Sequence, residues 1–190
     1  MANYDIDYKS THVISGITAY SDILEPNKDF GKHGIGLRIT DSQAEKLEAW
    51  AEEHLERAKV LFKKRPKLAL RDSEDKEGNK LDGKFVKVSW KPGGPRPLLI
   101  FDAHGNRMVL DAEPPVGSKL QVQVRAFLSK IPSGGVFCTL QPAAIRIIEL
   151  APAAQEYDEA DWGDSGFDIP EKTDEESADF GDPDSAEDFL

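Results

Sequence analysis

The chain has 190 residues and a formal net charge of −11 at pH 7, but the charge is unevenly placed. Residues 151–190 carry fifteen acidic residues against Lys172, a net −14, whereas residues 1–150 carry +3, so only the first part is compatible with a polyanionic ligand. The lone Cys138 excludes a disulfide framework and a cysteine-based zinc site, and no signal peptide or apolar run of about 18 residues is present. We therefore expect a soluble protein of the reducing cytoplasm without a membrane span.

The first third of the chain predicts two strands and a helix. Thr11–Leu24 is rich in β-branched residues, and Gly34–Thr40 alternates with a period of two. Ser42 and Glu45 have the spacing of a capping box in front of an apolar stripe at helical period, which predicts a helix over residues 42–64. Three successive residues are suitable N-caps for it: Thr40, Asp41 and Ser42.

Short strands are expected in the rest of residues 1–150. Residues 66–83 are charged and turn-rich, which favours a mobile loop. Five strands are predicted after it: Lys84–Trp90, Leu98–Ala103, Arg107–Leu110, Lys119–Lys130 and Val136–Leu150. The turns His104-Gly105-Asn106 and Ser133-Gly134-Gly135 connect hairpins, whereas Pro142 interrupts the last strand.

This pattern predicts a mainly β fold with one inserted helix. Five to seven short strands suit a small closed barrel of the oligonucleotide/oligosaccharide-binding (OB) type better than an open sheet, because closure removes the strand edges. Residues 151–190 have too few aliphatic residues to offset their conformational entropy, so we expect a disordered acidic tail. The predicted organisation is an OB-like domain over residues 1–150 and a tail over 151–190.

The residue pattern of an enzyme is missing from the sequence. The four histidines are scattered without ligand spacing, and the glycine pairs lack the frame of a phosphate-binding loop. Asp102 and Asp111 flank a hairpin and are more simply explained as turn-solvating acids than as paired catalytic carboxylates. We therefore predict no catalytic residue, no metal site and no cofactor.

Two predicted strands place an aromatic among basic side chains. If Val86 and Val88 face the core, then Phe85 and Lys87 share the opposite face with Ser89 and Lys91, because side chains alternate across a strand. In Lys119–Lys130 the inward set is Leu120, Val122, Val124, Ala126 and Leu128, which leaves Arg125 and Phe127 outward. Rings for stacking and cations for phosphates are what single-strand binding requires, and two such strands side by side would form a platform.

The candidate nucleic-acid-binding residues are aromatic or basic: Lys84, Phe85, Lys87, Trp90, Lys91, Arg96, Lys119, Arg125, Phe127, Lys130 and Phe137. The alternative for Phe85 and Phe127 is a core position beneath the helix or a loop. Trp90 shares the inward parity of the valines, and Phe137 could face either way. The alternatives remain open at this point.

The acidic tail is predicted to compete with nucleic acid and to bind a partner. A tethered segment of charge −14 is at high effective concentration beside a basic groove. Its spaced aromatics are natural anchors for a partner protein, and the alternative is a purely solubilising tail. The candidate partner-binding residues are Trp162, Phe167, Phe180, Phe189 and Leu190.

The order of these features resembles that of a known family. The stretch V-L-D-A-E-P-P-V-G-S-K-L-Q-V-Q-V, the hairpin F-D-A-H-G-N-R-M before it, and I-R-I-I-E-L before the acidic tail are similar to the replicative single-stranded DNA-binding proteins of tailed bacteriophages. The resemblance covers roughly residues 84–150 and the tail. One difference is that such tails usually end on Phe, whereas Phe189 is followed by Leu190.

The resemblance implies an OB barrel that coats single-stranded DNA during phage replication and recombination in the host cytoplasm. It also implies tail contacts with DNA polymerase or other replisome proteins, and control of DNA access or of homo-oligomerisation by the tail. Two other functions remain open from the sequence. One is a protein-interaction adaptor whose barrel binds a protein, and the other is a nucleic-acid mimic that acts through its tail.

Overall fold

Eight strands and one helix are present in the computed structural model, which describes residues 3–74, 78–93 and 97–152. Three strands precede the helix and five follow it. In chain order the elements are β1 (Asn3–Ile6), β2 (His12–Asn27), β3 (Lys32–Ile39), α1 (Asp41–Phe62), β4 (Leu70–Glu74), β5 (Lys80–Trp90), β6 (Leu99–Phe101), β7 (Lys119–Lys130) and β8 (Val136–Glu149).

Five of the strands close into a barrel. The order around the ring is β2, β3, β5, β8 and β7, and β7 pairs again with β2. All neighbours in the ring are antiparallel except β5 and β8, which run parallel. The three short strands lie outside the ring, with β1 on β7, β4 on β5 and β6 on β8. This closed five-stranded barrel with one helix confirms the predicted mainly β, OB-like fold.

Strict alternation of apolar side chains fills the barrel. All five residues of the predicted inward set of β7, from Leu120 to Leu128, are buried, and so are Val86 and Val88 of β5. Helix α1 adds Ala44 and Leu47 to this core. Its later turns form a second cluster with the ends of β7 and β8: Leu55, Ala58, Phe62, Ala126, Leu128, Val136 and Cys138.

Strand β2 changes partner at a bulge. Its first residues pair with β7, and from Ile17 onward it pairs with β3, with Ala19 as an extra residue between Thr18 and Tyr20. Thr18 is fully buried, and both its backbone N–H and its hydroxyl donate to the Ser118 carbonyl, at 2.8 and 2.9 Å. These bonds fix the point at which the strand leaves one half of the barrel for the other.

Several boundaries differ from the sequence-based prediction. Residues 66–83, predicted as a mobile loop, contain β4 and the start of β5, because charged residues are tolerated in an edge strand that pairs on one side. Strand β1 was not predicted, and 107–110 forms no strand but a single bridge from Arg107 to Phe101. The N-cap is Thr40, whose hydroxyl accepts from the Gln43 N–H, and not Ser42.

Pro142 does not end β8. The pairing with β7 skips from Ala144 to Pro142, so that Ala143 is an extra residue on β8. A bulge is a position at which a strand tolerates proline, because a ladder hydrogen bond is already lost there. The predicted turns at 104–106 and 133–135 are present, and Asp102 accepts from the backbone of His104 and Asn106 in the first of them. The described part of the chain has no helix whose length and apolarity would let it cross a membrane.

Truncation of one core valine should test the barrel packing. We expect Val122→Ala to lower the free energy of unfolding by about 2 kcal/mol, because it removes buried methyl groups and leaves a cavity. The measurement is urea unfolding followed by circular dichroism. The matched control is Val109→Ala, since Val109 is 83% exposed. Equal stability of the two variants would contradict the core assignment.

Candidate nucleic-acid interface

The outer surface of β3 and β5 carries a row of cations and half-buried rings. Arg38 of β3 lies opposite Phe85 of β5, and Arg71 of β4 lies opposite Phe85 on its other side. In the next row, Gly36 of β3 lies between Tyr20 of β2 and Lys87 of β5. We call the surface formed by Tyr20, Gly36, Arg38, Arg71, Phe85 and Lys87 the β3–β5 face.

Tyr20 points outward because of the bulge in β2. Thr18 faces inward opposite Leu37. In a regular ladder Tyr20, two residues later, would have the same parity and enter the barrel, but the bulge at Ala19 reverses its direction. Its ring instead lies flat on Gly36, where an added Cβ would be 2.3 Å from Tyr20 Cε1. The ring then stacks on Phe85, with 6.2 Å between centroids and an interplanar angle of 30°.

The phenol of Tyr20 is held in its neutral form. Burial raises the pKa of Tyr20 to about 12, Asp22 adds to the rise, and Arg71 opposes it. The hydroxyl is buried and has no hydrogen-bond partner among the described residues. The ring therefore offers a neutral aromatic surface over the whole physiological pH range.

Two cations lie directly on aromatic rings of this surface. The guanidinium of Arg71 is 4.4 Å from the centroid of Phe85, and Lys87 Nζ is 5.6 Å from the centroid of Phe30. Phe30 is in the turn between β2 and β3 and is 71% exposed. Arg38 adds a third cation, and its Nε is buried without a hydrogen-bond partner among the described residues. A buried donor of this kind is costly unless a ligand satisfies it.

Trp90 ends the same strand in a stack of its own. It is half-buried against the barrel core and lies 5.3 Å from the ring of His33, with an interplanar angle of 14°. His33 is also held at the backbone, since its Nδ1 is 3.3 Å from the Asp22 carbonyl oxygen. Trp90 therefore packs towards the barrel core, on the inward side of β5, and is not part of the β3–β5 face. Lys91 follows it and is exposed.

Two of the predicted basic residues form ion pairs within the protein. Lys84 Nζ is 2.7 Å from Asp72, and hydrogen bonds from Lys84 and Lys80 lower the pKa of Asp72 to about 2. Lys119 Nζ is 2.6 Å from Glu149 at the far end of β7. Both lysines are partly neutralised by their partners. Arg96 lies outside the described residues, as do the predicted tail residues Trp162, Phe167, Phe180, Phe189 and Leu190.

The predicted residues of β7 and β8 lie on a different part of the barrel. Arg125 and Phe127 face outward on β7, Lys130 is half-buried at its end, and Phe137 of β8 is 48% exposed. The expectation that the strands carrying Phe85 and Phe127 lie side by side is wrong, because β8 pairs between β5 and β7. Phe85 contacts Tyr20 and Arg71, and Phe127 contacts Tyr4.

Three side chains of the β3–β5 face, and Phe30 beside it, are not among the predicted residues. Tyr20 was hidden by the bulge, since a simple alternation from Ile14 would bury it. Arg71 fell in a segment predicted as a loop, and Arg38 and Phe30 lacked a neighbouring aromatic in the sequence. The alternating glycines of Gly34-Ile35-Gly36 were the available signal, because glycine in a strand often marks a close approach of another group.

Side chains that bind metal ions are not clustered in the described residues. No cluster of three or more His, Cys, Asp or Glu side chains in residues 3–74, 78–93 and 97–152 could hold a metal ion. Cys138 is buried, and burial raises the pKa of its thiol to about 11, which disfavours the nucleophilic thiolate.

Comparison with known proteins supports the fold assignment. No protein-family model and no curated protein sequence matches the chain. Among solved structures, the chain is similar to gp2.5, a single-stranded DNA-binding protein of bacteriophage T7, with a TM-score of 0.58 and 18% identity over 80% of this chain and 99% of that one. It is also similar to the single-stranded DNA-binding protein of bacteriophage Enc34, with a TM-score of 0.57 and 12% identity over 82% and 90% of the two chains. The resemblance to phage single-stranded DNA-binding proteins is therefore confirmed at the level of the fold.

Substitution of Gly36 should displace the ring that lies on it. We expect Gly36→Ala to lower the free energy of unfolding by about 1–3 kcal/mol, because the new Cβ overlaps Tyr20. The double variant Gly36→Ala/Tyr20→Ala should lose less free energy of unfolding than the sum of the losses in the two single variants. The reason is that removal of the Tyr20 ring leaves room for the new Cβ. Urea unfolding of the three variants measures the coupling. Strictly additive effects would mean that the two residues are not in contact.

Proposed function

We propose that the protein binds single-stranded DNA without sequence preference on the β3–β5 face. The observation that carries the proposal is the outward stack of Tyr20, Phe85 and Arg71 beside Lys87. In OB barrels the surface of the second and third barrel strands, here β3 and β5, binds oligonucleotides or oligosaccharides. This surface carries three cations, Arg38, Arg71 and Lys87. They favour an oligonucleotide, which is a polyanion, over an oligosaccharide.

The chemistry of the surface suits stacking more than base reading. Every base has an aromatic face, so stacking on Phe85 or Tyr20 does not select a sequence. A guanidinium plane also stacks on bases, so Arg71 can remain on Phe85 with a base on its outer side, or give way to the base. Arg38 and Lys87 are then placed to contact phosphate oxygens, and Arg38 Nε has a donor that the described residues do not use.

We further propose that residues 151–190 act as an acidic tail that competes with DNA and recruits replication proteins. A charge of −14 tethered to a domain of charge +3 would occupy the basic surface in the absence of DNA. DNA would displace it and free the aromatic residues from Trp162 to Phe189 for a partner such as a DNA polymerase. The setting we propose is phage DNA replication and recombination in the host cytoplasm, with no catalytic step and no cofactor.

Removal of the central ring should weaken DNA binding. We expect Phe85→Ala to weaken binding of a labelled oligo(dT) about 5- to 150-fold, since a stacked base contributes about 1–3 kcal/mol. Fluorescence anisotropy gives the affinity, and circular dichroism checks that the variant is folded. The control is Leu61→Ala, which removes an exposed apolar side chain from α1. A folded Phe85→Ala protein with unchanged affinity would remove the β3–β5 face from the proposal.

The tail mechanism is tested by comparing the full chain with residues 1–155, which form one compact unit. We expect the shorter protein to bind single strands more tightly than the full chain, and both to prefer single strands to the matching duplex. For the shorter protein, three phosphate contacts correspond to a slope of about −2 in log affinity against log salt concentration.

Each alternative result has a distinct meaning. Equal affinity of the two proteins would reject competition by the tail but leave DNA binding intact. Tighter binding to the duplex would reject the single-strand assignment. If neither protein binds nucleic acid at low salt, DNA binding on the β3–β5 face is rejected, and the barrel is better explained as a protein-interaction adaptor.

A further inference from the structure

A second group of exposed rings lies on the outer surface of β1, β7 and β8. Ser129 of β7 is opposite Tyr4 of β1 on one side and Phe137 of β8 on the other. Phe127, two residues earlier on the same face, packs against Tyr4 with 5.4 Å between ring centroids. We call Tyr4, Phe127 and Phe137 the β1–β7 patch. Tyr4 is 64% exposed and Phe137 48%, so these two rings are open to a ligand, whereas Phe127 is half-buried.

The charges around the patch favour an anion. Arg125 precedes Phe127 by two residues on the outward face of β7, and its Nε is buried without a hydrogen-bond partner among the described residues. The nearby carboxylates of Asp5 and Asp7 are bound by Arg57 of α1, with N–O distances of 2.7 and 3.5 Å. Asp5 lies opposite the inward residue Leu128, whereas Tyr4 lies opposite the outward Ser129. The acids of this segment are therefore turned away from the rings.

The patch repeats the composition of the β3–β5 face. Each surface combines a pair of aromatic rings in contact with an arginine whose Nε has no hydrogen-bond partner in the described part of the chain, Arg38 in one and Arg125 in the other. The row next to the patch also contains side-chain amides, since Gln123 donates to Thr11 and Gln121 to Ser15. A purely apolar protein partner would leave the Arg125 donor unsatisfied, whereas a phosphate would accept from it.

The two surfaces are connected across β8. Lys87 and Ser89 of β5 line a shallow depression together with Thr139 of β8. Thr139 is exposed, lies opposite Phe127, and donates its hydroxyl to the Phe127 carbonyl at 3.4 Å. Neighbouring strands are about 4.8 Å apart, so the path from β5 over β8 to β7 and β1 is about 14 Å long. Leu68 and Ala69 line the same depression, and Leu68 forms a bridge with Cys138 of β8.

From this arrangement we infer that the β1–β7 patch is a second contact surface for the same single strand. The strand crosses from Lys87 over Thr139 and stacks its next bases on Phe127, Tyr4 and Phe137, with Arg125 on a phosphate. The inference rests on the proposed function, because it extends the DNA path that begins on the β3–β5 face. It predicts that the patch contributes only when the oligonucleotide is long enough to reach it.

The test compares two lengths of oligo(dT) with the full-length protein. We use lengths of about 3 and about 16 nucleotides. At a rise of about 3.4 Å per nucleotide, three nucleotides are too short for the path of about 14 Å, whereas 16 nucleotides reach the upper limit of about 4–16 that one OB fold covers. We expect Tyr4→Ala to leave the affinity for the short oligonucleotide unchanged and to weaken binding of the long one about 5- to 150-fold. Tyr4→Phe, which keeps the ring, is the matched control and should behave as the wild type. Phe85→Ala should weaken binding at both lengths.

The outcomes separate this inference from the function on which it rests. Absence of binding by the wild-type protein at both lengths rejects the proposed function itself. Wild-type binding that Phe85→Ala weakens and Tyr4→Ala leaves unchanged at both lengths overturns the patch alone. A Tyr4→Ala protein that keeps its affinity but changes its mass in sedimentation velocity overturns it too, because the patch would then be a contact between copies of the chain. Phe137→Ala tests the patch from β8. We expect it, like Tyr4→Ala, to weaken binding of the long oligonucleotide and to leave the affinity for the short one unchanged.

Discussion

Strand β2 belongs to both halves of the barrel, and its change of partner at Thr18 is the interaction on which the fold depends. The first part of β2 pairs with β7 and the second with β3, so that one strand closes the ring. Hydrogen bonds between Thr18 and Ser118 and between Gly117 and Thr18 stabilise β2 at the point where its pairing partner changes from β7 to β3. Since a buried backbone group without a partner is costly, these bonds fix the position of the bulge. The bulge in turn determines which side chains of β2 face the core and which face outward.

The candidate interface follows from this change of parity. Tyr20 leaves the core, its ring settles on Gly36, and Phe85 with Arg71 completes a surface in which every ring has a cation or another ring beside it. The surface is neutral at its centre and cationic at its edges. A net charge of +3 over residues 1–150 is small, so local placement of Arg38, Arg71 and Lys87 matters more than the overall charge of the domain.

The parts of the fold that could be predicted from sequence are those with a repeating pattern. The inward and outward sides of β5 and β7 were predictable because the alternation is unbroken over seven to twelve residues, and α1 because its apolar stripe is long. Strands β1 and β4 were missed, since four or five residues without alternation become strands only through their partners. The site was half predicted: Phe85 and Lys87 are on one surface, but Tyr20 and Arg71 come from a bulge and an edge strand. The position of β8 between β5 and β7 could not be derived, because the order of strands in a barrel depends on long-range pairing.

The seam between β2 and β7 also governs how the chain reaches its native state. Strands β2 and β3, and β7 and β8, are hairpin neighbours, whereas the Thr18–Ser118 bond joins residues 100 apart and the Gln123–Thr11 bond residues 112 apart. Contacts at such separation form against a large loop-closure entropy and slow the folding of β-barrels. During synthesis from the N-terminus, β2 and β3 emerge long before β7. Until β7 leaves the ribosome, the first half of β2 has an unsatisfied edge, the kind of edge through which incomplete β-proteins associate with other chains.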